Sequence, residues 1–493
     1  MASEEFKQQA GLPPKLDLAT VRYYLKTRFT TLLPSREQMR VNRLNINPFG
    51  PLSQLTKRNW AFIGVAICTW TWDSVDFFIV SLNASTIAKD LEVSVKDVTW
   101  GLTLVLMVRS VGAIGFGIWG DRKGNKYPLI ACMALLSIIQ IGSGFVTTYK
   151  QFLGVRAIFG VAMGGVYGNA ASCALDDCPA AAKGIVSGMF QEAYMFGYLV
   201  AVLFQRAIAV NSPYGWRALF WFSAGPPVLF IAWRFWLPQT DDFLKKKEIE
   251  ANEGVEGSIA FRYAKETFKN HWLMFIYLVV LLAAFNFGSH GSQDLYPTLL
   301  TKQLGYGNDR STVTNSPGGV FFGHASTFIG RRLTVLIACV LGGTVIYPWA
   351  YARDSGINAG VFFLQFCISG AWGVVPVHLS SLADPKWRSL IVGTSYQLGN
   401  LASSGSSTIQ ATIGERFPLY DANGVQRPGV YDYSKVMAIF MGCVFAFLMI
   451  VMFLGPEKKD EGEGSMITDD ESLVGSENTD NKVTALEVLS SAL

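Results

Sequence analysis

Five polar side chains interrupt an otherwise apolar part of the chain, directly after the apolar run 272–285. They are Asn286, Ser289, His290, Gln293 and Asp294. If the run and these residues form one helix, a rotation of 100° per residue places all five within an arc of about 140°. A charge at the centre of a membrane-spanning helix costs roughly 2.5–3.5 kcal/mol. We therefore expect this polar stripe to face protein or a water-filled cavity, and we treat it as a candidate functional site.

The pair His290 and Asp294 could move a proton. Histidine is the side chain whose unperturbed pKa lies nearest to physiological pH, and Asp294 follows one helical turn later. We hypothesise that this pair takes up a proton and that the change of charge helps to admit an anion. The other three polar groups of the stripe would supply hydrogen bonds. The alternative is a structural histidine in a stripe that bonds neighbouring helices together.

Arg109 lies near the middle of another apolar run, 98–119, where an arginine is costly without an anionic partner. Its planar guanidinium suits a carboxylate, so it could anchor an anionic substrate. A permanent salt bridge to a buried aspartate is the alternative. Asp73 and Asp76 are three residues apart in the first apolar run and face about the same way. Either could hold a transported proton, and either could be the resting partner of Arg109.

A second polar wall is expected near residue 400. Gln397, Asn400, Ser404 and Ser407 fall within about 80° of one another around a helix. Such a row could line a cavity or could bond helices together. Gln191 and Tyr194 are weaker candidates for the same cavity.

The composition is typical of a membrane protein with many spans. Half of the 493 residues are hydrophobic and only 16% are charged. The N-terminal arm is rich in Lys and Arg, which favours a cytosolic N-terminus and makes nucleic acid a poor explanation for the positive charge. The seven cysteines are scattered and mostly lie in apolar runs, so no metal site and no disulfide framework are expected. We find no constellation for an enzyme or a cofactor, because the four histidines are far apart and no phosphate-binding loop is present.

Apolar runs divide the chain into two halves of six spans, an all-α arrangement in a lipid bilayer. The first-half runs are 60–83, 98–119, 127–146, 152–174, 184–206 and 217–237, and the second-half runs are 272–300, 311–328, 333–351, 357–380, 388–413 and 434–455. The predicted divisions are a cytosolic arm 1–58, a first half 59–237, a cytosolic linker 238–271, a second half 272–455 and an acidic cytosolic tail 456–493. Residues 21–29 could form an interfacial helix, although a solvated tail is the expected state.

An internal repeat supports the division into halves. Residues 117–126, G-I-W-G-D-R-K-G-N-K, follow the second run, and residues 323–332, G-H-A-S-T-F-I-G-R-R, follow the eighth. Both have two glycines seven residues apart, followed by a basic position. A duplicated six-helix unit would leave this pattern in corresponding loops.

The first of these loops resembles the signature loop of the major facilitator superfamily, with Asn125 where a basic residue is usual. The matching positions are Gly117, Asp121, Arg122, Gly124 and Lys126. The resemblance implies twelve spans and a cytosolic latch between the halves, formed by Gly117, Asp121, Arg122 and Gly124. Arg156, Gly160 and Gly164 resemble the fourth-helix pattern of the same superfamily, in which the glycines permit close helix approach.

The polar stripe resembles a narrower signature, N-x-x-[ST]-H-x-[ST]-Q-D-x-x-x-T, at every fixed position from Asn286 to Thr298. That signature is typical of the fungal lactate/pyruvate:proton symporters, which are grouped with the sialate:proton symporters. The Q-L-G-N at 397–400 also matches this family and implies that Gln397 and Asn400 line the cavity. The resemblance implies a plasma-membrane carrier that imports short monocarboxylates such as lactate, pyruvate or acetate together with a proton, by alternating access.

Several alternatives stay open at this point. The carried anion could be a dicarboxylate or a sialic acid, or the chain could be a nutrient sensor that does not transport. The expected partners are a small carboxylate, the proton as coupling ion and the lipid bilayer, with ubiquitin-dependent turnover machinery on the tails. One departure is evident: T-V-T-N-S runs directly into P-G-G near residue 316, so the eighth span is too short. Asn83 in N-A-S is a candidate glycosylation site.

Overall fold

A computed structural model describes residues 18–34, 46–252, 257–296, 299–305, 317–353, 356–414, 416–420 and 426–457. The described residues of the N-terminal arm and the first half form eleven α-helices. They are α1 (Leu18–Thr30), α2 (Phe49–Ser53), α3 (Lys57–Leu82), α4 (Ala84–Asp90), α5 (Val95–Lys123), α6 (Lys126–Ser143), α7 (Tyr149–Gly164), α8 (Val166–Leu175), α9 (Ala180–Phe204), α10 (Trp216–Ser223) and α11 (Pro226–Trp236). The fourth span consists of α7 and α8, and the sixth of α10 and α11.

The linker and the second half follow. Their elements are α12 (Asp241–Asn252), α13 (Gly257–Gln293), α14 (Gly318–Ile329), α15 (Arg331–Tyr351), α16 (Gly356–Leu382), α17 (Arg388–Ser403), α18 (Ser406–Gly414), β1 (Pro418–Tyr420), β2 (Gln426–Tyr431) and α19 (Tyr433–Leu454). The two strands pair antiparallel between the eleventh and twelfth spans. The predicted linker 238–271 thus contains α12 and the start of α13, which continues into the seventh span without interruption.

Local sequence explains where several of these helices begin. Thr56 and Asn59 form a capping box at the start of α3, and Ser94 with Asp97 does the same for α5. In each box the side-chain oxygen of the capping residue accepts from the backbone amide three residues later. The side chain of that later residue accepts in return from the backbone amide of the capping residue. These bonds satisfy amides that have no partner within the first helical turn.

Ten helices in the described ranges are long and apolar enough to cross a membrane. The eighth and eleventh spans are the two that fall short of this criterion. Helix α14 has 12 residues, about 18 Å, whereas the hydrocarbon core of a bilayer is about 30 Å thick. The shortened eighth helix is therefore present as predicted, although residues 311–316 of the predicted run lie outside the described ranges. The eleventh span is interrupted between α17 and α18.

The predicted repeat is visible in the backbone. Gly124 and Gly330, the second glycines of the two copies, have φ of 81° and 93°, a region that favours glycine. The first glycines permit close helix contacts in equivalent places. A Cβ at Gly117 would lie 2.7 Å from Leu390 Cα on α17, and a Cβ at Gly323 would lie 3.0 Å from Gly188 Cα on α9. The second span thus packs closely against the eleventh, and the eighth span packs in the same way against the fifth.

The N-terminal arm is not entirely a solvated tail, contrary to expectation. The Tyr24 hydroxyl donates to the Leu454 carbonyl at 2.8 Å, and Arg28 Nη1 donates to the Gly455 carbonyl at 2.6 Å. From the start of α15, Arg332 Nη2 donates to the Arg28 carbonyl at 3.1 Å. Helix α1 is therefore held against the end of the last span. We call this end of the bundle, which also carries the linker helix α12, the linker side.

The candidate glycosylation site is not accessible in this structure. Asn83 is 3% exposed, and its Nδ2 donates to the Ile79 carbonyl at 2.8 Å. Since Nδ2 is the atom that would carry a glycan, modification at this position would require the side chain to leave this buried position.

Candidate functional site

Arg109 and Asp73 form a buried ion pair between the second and first spans. Arg109 Nη2 lies 3.5 Å from Asp73 Oδ2, and the two side chains are 2% and 0% exposed. The phenols of Tyr194 and Tyr396 lie close enough to interact electrostatically with the guanidinium. Of the two aspartates proposed as resting partner, Asp73 is therefore the one that pairs with Arg109 in this conformation.

Asp76 belongs to a different buried group. The polar groups around it include Gln140, Ser223 and Arg156, and neither carboxylate oxygen has a partner at hydrogen-bond distance and angle in the described parts of the chain. Arg156 Nη2 donates to Gln140 Oε1 at 3.2 Å and to Ser143 Oγ at 2.6 Å. The sequence analysis considered Arg156 only as part of a packing pattern, so it missed this second arginine–aspartate group.

Four of the five residues of the polar stripe lie on α13, as predicted, and Asp294 follows directly after the last residue of this helix. Helix α13 packs against α16, α17 and α19. Two members of the stripe bond to α16. Ser289 Oγ accepts from Trp372 Nε1 at 2.7 Å, and Gln293 Nε2 donates to Gln365 Oε1 at 3.2 Å. Asn286 Nδ2 donates to the Leu282 carbonyl of its own helix at 2.9 Å. In this conformation Ser289 and Gln293 thus bond two helices of one half together.

His290 and Asp294 lie towards the end of α13 that is farther from the linker. His290 Nδ1 is 3.3 Å from Asp294 Oδ1, and the two side chains are 27% and 31% exposed. The predicted contact is therefore present, and both side chains are partly exposed.

Gln397 places a polar amide in the buried interior of α17. The residue is 0% exposed, and neither its Oε1 nor its Nε2 has a hydrogen-bond partner in the part of the chain that the structure describes. An amide in such a position costs free energy unless it meets water or a ligand. Asn400, one turn away, donates from Nδ2 to the Tyr396 carbonyl at 3.1 Å. Ser407 is among the residues whose side chains are not described.

An aromatic cluster joins the two halves of the protein. The ring centroids of Tyr167 and Tyr396 are 3.8 Å apart and stacked, and those of Trp70 and Tyr396 are 6.0 Å apart. Trp70 also contacts Tyr194 at 5.0 Å. Polar atoms without a partner among the described residues occur within or next to this cluster: Trp70 Nε1, Tyr167 Oη, Gln191 Oε1 and Arg109 Nε. These atoms are buried hydrogen-bond donors and acceptors.

The loop with the superfamily signature contacts the other half on the linker side. Asp121 Oδ1 accepts from the Ser389 amide at 2.9 Å, and Oδ2 accepts from the Leu390 amide at 2.8 Å. Both amides belong to the first turn of α17, where a carboxylate is favourable. Gly124 occupies the turn with positive φ, whereas the Arg122 side chain is exposed.

A second contact on the linker side involves Arg388. Its Nη1 lies 2.9 Å from Asp176 Oδ1 and 3.7 Å from Asp242 Oδ2 of the linker helix. Burial raises the pKa of the Asp176 carboxyl, and the Arg388 guanidinium opposes that rise. Arg388 is not among the candidate residues of the sequence analysis. The two halves and the linker helix are therefore closed together by charged groups on this side.

Replacing Asp121 by Ala is expected to lower the equilibrium constant for closing the linker side roughly tenfold, because two charge-assisted hydrogen bonds are lost. Labelling of a cysteine introduced at position 389 by a maleimide would measure this. Lys123→Ala, an exposed side chain of the same loop, is the matched control and should label at the rate of the parent. Equal labelling of the Asp121→Ala protein and the control would contradict the latch role.

Comparison with known proteins gives one family match and several relatives. The model of the "Sugar (and other) transporter" family matches residues 59–462. A carboxylic acid transporter protein homolog of Saccharomyces cerevisiae is 40% identical over 477 residues, which cover 92% of this chain and 77% of that protein. A sialic acid transporter of Escherichia coli is 24% identical over 346 residues, covering 67% of this chain and 81% of that protein.

Solved structures show a similar fold at low sequence identity. A proton:xylose symporter of the major facilitator superfamily, bound to 6-bromo-6-deoxy-D-glucose, matches with a TM-score of 0.64 and 17% identity over 82% of this chain and 97% of that chain. The human organic anion transporter MFSD10 matches with a TM-score of 0.58 and 12% identity over 81% of this chain and 100% of that chain. These likenesses confirm the predicted fold.

Proposed function

Because this chain belongs to the sugar (and other) transporter family of the major facilitator superfamily, we propose that it is a proton-coupled carrier of short monocarboxylates such as lactate, pyruvate or acetate. The family consists of membrane transporters and not enzymes, in agreement with the expectation from the sequence. The name of the yeast relative supports a carboxylic acid as the solute. The observation that carries the proposal is the buried ion pair of Arg109 and Asp73.

In this pair Asp73 holds the place that a substrate carboxylate would take. When Asp73 accepts a proton, its attraction for Arg109 weakens, and the guanidinium can bind the carboxylate of a solute instead. The empty pair has no net charge, and neither has the pair loaded with one proton and one monocarboxylate. A form loaded with only one of the two carries a buried net charge, which is costly in the membrane interior. The two balanced forms should therefore reorient more readily, which couples one proton to one anion.

The same charge balance favours a monocarboxylate over a dicarboxylate. Arg109 is the cation next to the aromatic cluster, whereas Arg156 is held in the separate group by Gln140 and Ser143. A second carboxylate on the solute would need a second cation, or it would have to be protonated before binding. Gln397 offers a neutral donor and acceptor, which suits the hydroxyl or oxo group of lactate or pyruvate.

The location and the partners are part of the proposal. We place the chain in the plasma membrane with both termini in the cytosol, so that the linker side faces the cytosol and release occurs there. The acidic tail 456–493 is proposed to engage ubiquitin-dependent turnover machinery. Most of this tail lies outside the described residues.

The direct test is uptake of labelled lactate by a cell that lacks its own carriers, measured at several external pH values. We expect saturable uptake that rises as the pH falls, with pyruvate and acetate as competitors. Succinate and sialic acid should compete only weakly. Strong competition by succinate or sialic acid would replace the monocarboxylate assignment, and a failure of any solute to enter would favour a sensor.

Replacing His290 by Ala is expected to raise the KM for lactate roughly tenfold and to flatten the pH profile of uptake, because the exposed pair with Asp294 is lost. Initial rates at pH 5 to 7 would measure both effects. His324→Ala is the matched control, since His324 Nε2 lies 3.0 Å from the Ile46 carbonyl on the linker side, away from the stripe. An unchanged pH profile in the His290→Ala protein would remove His290 from proton coupling.

A further inference from the structure

The hydroxyl of Ser187, on the fifth span α9, is inserted into the backbone of the tenth span α16. Ser187 Oγ donates to the Gly373 carbonyl at 2.7 Å and accepts from the Val377 amide at 3.0 Å. In an uninterrupted α-helix these two backbone groups bond to each other, because the amide of a residue bonds to the carbonyl four residues earlier. Ser187 therefore replaces one backbone hydrogen bond of α16, and it does so from the other half of the molecule.

Pro376 lies between Gly373 and Val377 and distorts the helix where this bond would form. Proline has no amide hydrogen, and its ring clashes with the carbonyl of the preceding turn, so it kinks a helix. Within a membrane, a donor and an acceptor freed in this way must find partners in neighbouring protein. Ser187 is 0% exposed and satisfies both of them. Serine suits this role because one hydroxyl can donate and accept at the same time.

Small residues surround this contact and bring the halves together. On α9, Gly184 and Gly188 flank Ser187 by one helical turn or less and face α14. A Cβ at Gly188 would lie 2.8 Å from Val320 Cα, so the two helices touch through their backbones. The Ser187 hydroxyl is thus the polar group within a tightly packed contact near the linker side.

We propose that Ser187 is a positioning residue of the transport cycle, which holds the kinked part of α16 against the first half only while the linker side is closed. The proposal rests on the proposed function in one respect: the halves must separate on the linker side to release the solute. That separation withdraws Ser187 and leaves Gly373 O and Val377 N without their partner. The contact therefore favours the conformation in which the site faces away from the linker.

Hydrogen–deuterium exchange of the full chain in lipid nanodiscs tests the contact without any substrate. Removing the hydroxyl in the Ser187→Ala protein should speed exchange in the segment 373–382 by roughly tenfold, because the Val377 amide loses its acceptor. Ser326→Ala is the matched control. Ser326 is 4% exposed in α14, and its Oγ donates only within its own helix, to Gly323 O at 2.7 Å.

Transport kinetics in proteoliposomes test the consequence. In the Ser187→Ala protein the KM for lactate entry from the side opposite the linker should rise roughly fivefold, and the KM for lactate exit should fall. Both changes follow because the state that is closed on the linker side is less populated. A merely structural role would lower the amount of active protein and would leave the ratio of the two KM values at that of the Ser326→Ala control. That result, or unchanged exchange in segment 373–382, would overturn the proposal.

A double-variant cycle keeps the test decisive if either protein is unstable. Pro376→Ala removes the ring that distorts α16 and restores an amide that can bond to the Trp372 carbonyl, so the helix can also close its own bond from Val377 to Gly373. In that background, Ser187→Ala should change the KM ratio by less than twofold. A full effect of Ser187→Ala in the Pro376→Ala background would show that Ser187 does not act through the open backbone bond. Because the exchange measurement needs no solute, a wrong solute assignment and a wrong role for Ser187 give different results.

Discussion

Replacing Arg109 by Gln is expected to reduce the initial rate of lactate uptake by roughly 100-fold or more at every pH. Arg109 is 1% exposed, and its ion-pair partner in the described structure is Asp73. Glutamine keeps a donor but has no charge, so the site loses the group that would exchange one carboxylate for another. Arg109→Lys keeps the charge without the planar fork and should retain partial activity with a raised KM.

A partly exposed arginine provides the control for this variant. Arg217, 24% exposed, pairs with Asp90, 43% exposed, and ion pairs with access to solvent contribute little to stability. The Arg217→Gln protein should therefore reach the membrane and take up lactate at nearly the parent rate. Uptake by the Arg109→Gln protein with an unchanged KM would show that the anion binds elsewhere.

Sequence reasoning reached the overall arrangement because helix periodicity and span length are local properties. The single helix through the polar stripe, the shortened eighth span and the repeated glycines at 124 and 330 all follow from short stretches of sequence. In each case the relevant physics acts within one or two turns of the chain. No contact with a distant element was needed to predict them.

Partner choice could not be predicted in this way. Asp73 and Asp76 are three residues apart on one face of α3, and the sequence leaves their roles equal. The structure separates them because Asp73 meets the second span, whereas Asp76 meets Arg156 and Gln140 of the fourth and third spans. Which arginine each aspartate meets depends on how the neighbouring helices are rotated. That rotation is set by side-chain packing throughout the half.

The same limit applies to the polar stripe. Its residue types are compatible with a cavity and with a bonded helix pair, and the sequence analysis favoured a functional role. In the structure Ser289 and Gln293 bond to α16, whereas His290 and Asp294 are partly exposed. Ser187 was not recognised at all, because its partner is a backbone bond opened by a proline nearly two hundred residues later in the chain.

Replacing Asp73 by Asn is expected to uncouple transport from the proton. An amide at this position resembles a permanently neutral aspartate, so Arg109 remains free to bind a carboxylate at any pH. Exchange of external for internal lactate should persist and lose most of its pH dependence. Accumulation driven by a pH gradient should fall to a concentration ratio of about one, because no proton accompanies the anion and the form without solute carries an unbalanced charge.

Proteoliposomes with an imposed pH gradient and a clamped membrane potential separate these two activities. Asp76→Asn is the informative comparison, since Asp76 lies in the group of Arg156 and the two substitutions are chemically identical. If Asp73 carries the proton, Asp76→Asn should lower the rate and keep the ability to accumulate lactate. The reverse outcome, with accumulation lost only in the Asp76→Asn protein, would transfer proton coupling to the Asp76 group and leave the ion pair of Arg109 and Asp73 as a fixed structural contact.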